Sequence, residues 1–498
     1  MADRLTDDAL GDIQGFITSG YGHLPVARYL LLHFDDAVSG RTYLAQLVPH
    51  VTTAAPWPTL DGRKLKPTWA VNVGVTAAGL AVLGVPERVR CTFPPEFLEG
   101  MATSRRSAIL GDTEESAPER WEFGGPAHAA VHALVTIHGA SDAELDAQYR
   151  RHLELAASAG GISEVTDTQG GYRPSNDHEP FGFHDGIAQP SIRGITGEGV
   201  PTGEFVLGYE NHYAVVLPGP VVPEDVDGSA VLPPLPNPYH HGQAFRDLAV
   251  NGSFVVYRKL AQHVAAFWNF VQREAERAAG RADARHMLWV AARMMGRWPS
   301  GAPLVMAPDE DDRRLANRDD FLYDSDVEGF ACPLGAHVRR TNPRAVLKPY
   351  GLRESLSMTE AHRLLRRARV FGPPLFDAAA LQGSSSDAAR VLTDIAEDGV
   401  PRGIHFFCVN ASITSQFEFV QQTWCNNPRF GGLTSNKDPI TGDNARADGP
   451  RSYMEIPQRP AAYRTAALPR FVTMRGGAYL FMPSLRGLRF LSAPVPPH

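Results

Sequence analysis

Two early segments, one in each half of the chain, share an order of hydrophobic and polar positions. Residues 28 to 34, "RYLLLHF", form a short apolar run, followed by a helical stretch through "TYLAQLV". Residues 252 to 260, "GSFVVYRKL", are likewise followed by the amphipathic "AQHVAAFWNFVQREAERAA". The pattern returns later in each half. Residues 132 to 156, "HALVTIHGASDAELDAQYRRHLELA", and residues 403 to 424, "GIHFFCVNASITSQFEFVQQTW", both read as strand, Ser-containing turn, then helix. Each half therefore carries two strand–helix units at about the same separation. That predicts an α+β fold built by duplication, with antiparallel sheets covered by helices on one face.

Between the halves lies "LPGPVVPEDVDGSAVLPPLPNPYHHG", residues 217 to 242. Prolines at this density neither pair in a central sheet nor continue a helix, so the segment reads as a long surface connection. The expected division is an N-terminal domain over 1–216 and a C-terminal domain over 243–498. The competing reading is a loop insertion in one large domain.

Composition narrows the function classes. With 43% hydrophobic and 21% charged residues, the 498-residue chain is an ordinary globular protein with a large core. A formal charge of −7 provides no basic field for nucleic acid. The four cysteines, Cys91, Cys332, Cys408 and Cys425, are too scattered for a disulfide framework and form no C-x-x-C pair. The N-terminal "MADRLTDDALGDIQGF" lacks the charged-then-apolar pattern of a signal peptide, and no apolar run reaches membrane-spanning length. These features lead to the expectation of a cytoplasmic protein with no membrane and no nucleic-acid partner.

Two stretches carry candidate chemistry. In "FACPLGAHVRRTNPR", residues 330 to 344, one imidazole, His337, stands between small residues and a basic run. A buried histidine with room beside it is either a metal or haem ligand or a core histidine with its hydrogen bonds satisfied. In "FGFHDGIAQPSI", residues 181 to 192, Asp185 sits in a Gly182-Phe-His-Asp-Gly186 frame. Glycines on both sides allow a tight turn and close approach to a flat ligand. A carboxylate among apolar neighbours can have its proton affinity tuned for acid–base work, although an Asp-Gly turn alone is common.

Together, "CPLGAHVRRTNPR" and "GFHDGIAQP" resemble the dye-decolorising peroxidases, a haem peroxidase family. "DIQGFITSGYG", "NGSFVVYRKLAQ", "GRWPSGAPL", "QFEFVQQTW" and "YLFMPSLRGLRFL" extend the resemblance over nearly the whole chain. It implies two ferredoxin-like domains with antiparallel sheets and peripheral helices, and non-covalent haem b held mainly by the C-terminal half. The implied activity is reduction of hydrogen peroxide with one-electron oxidation of aromatic donors such as dyes and phenols. A haem carrier, store or sensor of the same fold is the alternative.

Residue by residue, the resemblance makes His337 the iron ligand and Arg344 a contact for a haem propionate. Asp185 becomes the acid–base group that moves a proton between the two peroxide oxygens. "EAHRLLRRARVFGPP", residues 360 to 374, resembles the family's distal-arginine segment, with Ala368 and Val370 replacing a glycine and a proline. Adjacent strand residues face opposite sides, so only one of Arg366 and Arg367 meets the substrate, and Arg366 is the choice. By the same period of two, Ile404 and Phe406 wall the pocket while His405 faces away. Glu418 is the candidate acceptor for the His337 Nδ1–H, with Gln416 competing. Trp424 is a candidate for passing electrons from bulky donors.

Overall fold

The computed structural model describes residues 4–494 except 168, 229, 236–243, 346–350, 383–384, 446–448 and 450. Eight strands of the ten-stranded main sheet form the repeat, the other two being the short Ile162–Glu164 and Leu365–Arg366. Four of the eight come from the N-terminal half: Val26–Phe34 (β1), Trp69–Val75 (β2), Ala133–Gly139 (β3) and Gln169–Tyr172 (β4). Four more come from the C-terminal half: Ser253–Gln262 (β5), Arg369–Phe371 (β6), Gly403–Asn410 (β7) and Val472–Met482 (β8). In each half the spatial order is fourth, first, third, second, with every pairing antiparallel. This is the ferredoxin-like order, twice over. The expected duplication and fold class are therefore present.

The two halves do not remain separate sandwiches. Phe481 of β8 pairs with Val75 of β2, and Val370 of β6 pairs with Tyr172 of β4. With β5 and β7 already paired, the eight strands close into one barrel. Closure has a simple physical reason, because each half alone would leave two edge strands with unpaired N–H and C=O groups. Inward-facing rings fill the barrel, among them Tyr29, Tyr257, His405 and Phe407. Phe16 from the N-terminal segment packs on Phe407.

The helical layers differ between the halves. Helices Ala37–Leu47 (α1) and Asp142–Ala159 (α2) pack directly on the N-terminal sheet, with Tyr43, Leu44 and Leu145 in one core with Leu30, Val73 and Ile137. Helices Val264–Ala279 (α3) and Ala284–Met295 (α4) build a separate core with each other around Trp268, Met287 and Val290. After β7 the chain forms two π-helical turns, Thr414–Glu418 and Val420–Cys425. Such turns are rare and concentrate at functional sites.

The proline-rich connection is more structured than expected over its described part. Val221–Pro223 and Pro234–Leu235 flank Phe245–Asp247 in a small antiparallel sheet, and Val222 and Leu232 enter the first core. Short strands of this kind tolerate proline where a central strand does not. Residues 236–242 of that connection lie outside the described residues. Among the described residues no helix is long and apolar enough to cross a membrane, and all four cysteines are unpaired.

Candidate active site

A cavity of about 260 Å³ lies between the C-terminal sheet and its helical layer. Leu260, Ile404, Phe406 and Met474 line it from the strands, and Met295, Val338 and Ile440 from the other side. Strand alternation explains the choice of wall residues. Ile404 and Phe406 face outward into the cavity, while His405 turns into the barrel, where its Nδ1 meets the Tyr257 hydroxyl at 2.9 Å.

His337 opens a five-residue helix, His337–Thr341, and borders the same cavity. Its Nδ1 lies 2.9 Å from Oδ2 of Asp438, whose side chain is fully buried. The other Asp438 oxygen accepts the backbone N–H groups of Ile440 and Thr441, each at 2.8 Å. Burial alone would raise the Asp438 pKa. The His337 ring, the Thr441 N–H and Arg340 outweigh it and hold the carboxyl below its usual range. An ionised Asp438 requires the proton on Nδ1, leaving the Nε2 lone pair of His337 available as a ligand.

Glu418, the expected partner of His337, is engaged elsewhere. Its carboxylate accepts from Arg106 Nη1 and the Tyr479 hydroxyl, each at 2.7 Å, inside the core. Gln416 is also committed, accepting the Ala411 and Ser412 amides. Asp438 went unrecognised because "NKDPITGD" reads as an ordinary Asp-Pro turn. Its partner lies 101 residues away.

Asp185 and Arg366 meet at the cavity, with Arg366 Nη1 donating to Asp185 Oδ1 at 3.2 Å. The Gly186 N–H also donates to that oxygen, at 2.6 Å. Gln189 fixes the backbone of Arg366 by accepting its N–H at 3.0 Å. Arg367 faces the opposite way and donates to the carbonyls of Phe16 and Ile17. Alternation along the strand thus sends Arg366 to the cavity and Arg367 away from it. His184 borders the cavity, but its Nδ1 meets the Ser300 carbonyl at 3.1 Å and its ring stacks on His178.

Arg344 is not at the cavity. Its guanidinium donates to the carbonyls of Asp319 and Phe321, pairs with the Asp319 carboxylate, and lies 4.0 Å above the Phe321 ring. A backbone φ of +55° turns it back into the chain. Arg339 and Arg340 of the basic run are also buried, on Asp326 and on backbone carbonyls respectively. Trp424 is buried with Phe419, Phe430 and His362 and does not line the cavity.

Four other arginines line the cavity; Arg258 and Arg297 are committed to Asp112 and Asp319, whereas Arg363 and Arg470 keep donors in reserve. Arg470 donates through Nη1 to Ser116 Oγ at 2.8 Å, while its Nη2 is buried without a partner. Among the described residues the Arg363 guanidinium has no hydrogen bond or ion pair, and it lines the same cavity. Burial pulls both guanidinium pKa values down, a cost that an anionic ligand would relieve. An imidazole with a free Nε2, apolar walls and two guanidinium groups with donors to spare match the needs of an iron porphyrin bearing carboxylates.

Residues 12–174 match the family model described as the "DyP dimeric alpha+beta barrel domain". A dye-decolorizing peroxidase of Mycena epipterygia is 30% identical over 99% of this chain and 88% of its own length. A solved dye-decolorizing peroxidase in complex with 2,6-dimethoxyphenol is 26% identical, with a TM-score of 0.73 over 97% of this chain and 99% of that one. Another, whose heme pocket was engineered for asymmetric sulfoxidation, is 26% identical with a TM-score of 0.74 and the same coverage. The fold and these likenesses define a peroxidase of the dye-decolorising alpha+beta barrel type. The chain belongs to the dye-decolorising peroxidase family and is a peroxidase of that type.

Proposed function

We propose that this peroxidase holds haem b through His337, reduces hydrogen peroxide with Asp185 and Arg366, and oxidises aromatic donors in one-electron steps. The observation that carries the reading is a single cavity bordered on one side by His337, whose ring is held from behind by Asp438, and on the other by the Asp185–Arg366 pair. When bound, the haem iron supplies the redox centre through which peroxide is reduced and two donor molecules are each oxidised by one electron.

The protein's own groups have distinct tasks. Nε2 of His337 is the ligand atom. Asp438 fixes the ring's tautomer and, by accepting the Nδ1 proton, makes the imidazole a stronger donor. Arg363 and Arg470 take the place proposed at first for Arg344, as partners of the propionates. Asp185, ionised, accepts a proton from one oxygen of hydrogen peroxide and returns it to the other, so that water can leave. Arg366 holds its fixed positive charge where negative charge grows as the O–O bond lengthens. Ile404, Phe406 and Leu260 keep the pocket apolar and narrow, which admits peroxide and keeps bulky dyes out.

The balance is one hydrogen peroxide and two donor molecules, each giving up one electron and one proton, forming two waters and two donor radicals. Stopped-flow absorbance of the haem-loaded protein with one equivalent of hydrogen peroxide tests the reading. A rapid Soret change that two equivalents of a phenol fully reverse supports it. Slow bleaching without donor oxidation overturns it in favour of haem carriage.

A further inference from the structure

The Asp185 frame is held by a second carboxyl that the mechanism above does not use. Glu179 begins the turn: its N–H donates to the Phe183 carbonyl at 2.9 Å, and its carbonyl accepts the Gly182 N–H at 2.8 Å. Gly182 has a φ of +95°, which closes the turn. The Glu179 side chain folds back across this turn. Oε2 accepts the Phe181 N–H at 3.1 Å and Oε1 the Phe183 N–H at 3.0 Å. Gln262, at the end of β5, donates to Oε2 at 2.6 Å.

On the other side Phe181 and Phe183 enter the second core, and the Trp268 indole donates to the Phe181 carbonyl at 3.0 Å. The turn is thus anchored from both sides, and Asp185 emerges two residues after Phe183. We propose that Glu179 is a positioning residue for Asp185: its carboxylate, bonded to two turn amides and to Gln262, fixes the frame from which Asp185 reaches the cavity. The proposal rests on the reading of Asp185 given above.

Gln262 gives this contact a second state. It is buried, and its Oε1 has no partner while its Nε2 serves Glu179. Rotating the amide by half a turn presents Oε1 to a protonated Glu179, whose O–H then has an acceptor. Both protonation states of Glu179 can therefore be accommodated, but not equally. The ionised form is the stronger acceptor for the Phe181 and Phe183 amides.

Burial pushes the Glu179 pKa up to about 7, the charge of Asp185 adds to the rise, and the three hydrogen bonds oppose it. Asp185 is the charged neighbour that acts on it; Asp177, His178 and His184 lie on its own segment and Arg366 beside Asp185, while the cavity-lining Arg258 and Arg297 are paired with Asp112 and Asp319.

The test compares the haem-loaded wild type with Glu179→Gln and Gln262→Leu. The bimolecular rate with hydrogen peroxide is followed by stopped flow from about pH 5 to about pH 9. Infrared difference spectra of the same proteins, with and without haem, follow the carboxylic acid C=O band. In the wild type the rate should rise roughly tenfold through pH about 7 as that band disappears. Glu179→Gln should lose both the band and the inflection, and its rate should fall about tenfold with haem content and donor KM unchanged. Gln262→Leu keeps the carboxyl but removes a donor to its charged form, so band and inflection should move up together by about one unit.

Three parallel pH profiles, or a titrating band that survives Glu179→Gln, overturn the proposal. If Glu179→Gln does not fold, the shift in Gln262→Leu decides alone. A fully active Asp185→Asn protein would instead sink the reading on which the proposal rests, and the infrared titration keeps the two failures apart.

Discussion

The two halves of the barrel have the same strand order and opposite fates on their outer faces. In the N-terminal half, α1 and α2 rest on the sheet and share one core with it, so Leu30, Val73, Leu44 and Leu145 touch no open space. In the C-terminal half, α3 and α4 pack on each other in a separate core, and a cavity opens between that core and the sheet. The α2 helix that follows β3 runs for 18 residues, whereas the helical segment after β7, residues 414–425, is shorter and wound largely with π-type hydrogen bonds. A duplicated unit thus acquires a ligand site by lifting its helical layer off the sheet. The proposed ligand and acid–base groups sit on segments outside the repeat, namely the turn bearing Asp185, the short helix of His337 and the loop of Asp438.

The comparison breaks first at His337. His337→Ala should leave the N-terminal half unaffected and the cavity without its ligand atom. The expected result is a folded protein with little haem or with haem that is readily lost, read from the Soret band after gel filtration. Full haem with an unchanged Soret band would refute the ligand assignment.

Asp185→Asn is the next largest change. It keeps shape and the hydrogen bond from Gly186 but removes the base. Haem content should stay constant while the bimolecular rate with peroxide drops by roughly a hundredfold or more. An undiminished rate would mean that another group moves the proton. Arg366→Leu should also slow that step, whereas Arg367→Leu, on the barrel side, should act through stability alone.

A smaller effect separates Asp438, the carboxylate that meets His337, from Glu418, the one expected to. Asp438→Asn removes the ionised acceptor from Nδ1 and should weaken haem retention by about tenfold to a hundredfold, as for other partners of metal-binding histidines. Glu418→Gln should leave haem retention unchanged and lower the melting temperature, since its partners Arg106 and Tyr479 are buried in the core. The reverse outcome would restore Glu418 as the partner.

What the sequence made legible follows from locality. Strand alternation separates Ile404 and Phe406 from His405, and Arg366 from Arg367, because neighbouring residues decide those directions. The strand–helix units are legible for the same reason. Barrel closure is not, since it rests on two single pairings, Phe481 with Val75 and Val370 with Tyr172, between residues hundreds of positions apart. Arg344 misled because its motif position says nothing about a chain reversal at φ +55° that sends the guanidinium to Asp319. Glu418 misled because a helix-borne acid looks free until Arg106 arrives from 312 residues upstream.

The smallest effect on the site is expected from the half that has no cavity, and it sharpens the comparison most directly. Leu44 on α1 is fully buried between the helix and the N-terminal sheet. Leu44→Ala removes packed methyl groups and leaves a void that the surrounding helices only partly fill, at a cost of about 2–5 kcal/mol. Ile404 on β7 is only partly buried, because one side of it faces the cavity. Ile404→Ala enlarges a space that already exists, so its stability cost should fall below that of Leu44→Ala. The functional order should be inverted. Ile404→Ala should alter the peroxide rate and admit larger donors, while Leu44→Ala should leave the Soret band and peroxide rate unchanged at temperatures where the protein is folded. Chemical denaturation and stopped-flow rates on the same two variants give both orders. Equal stability losses with equal rate changes would mean that the helical layers of the two halves are coupled after all, and that the cavity does not mark a real division of labour between them.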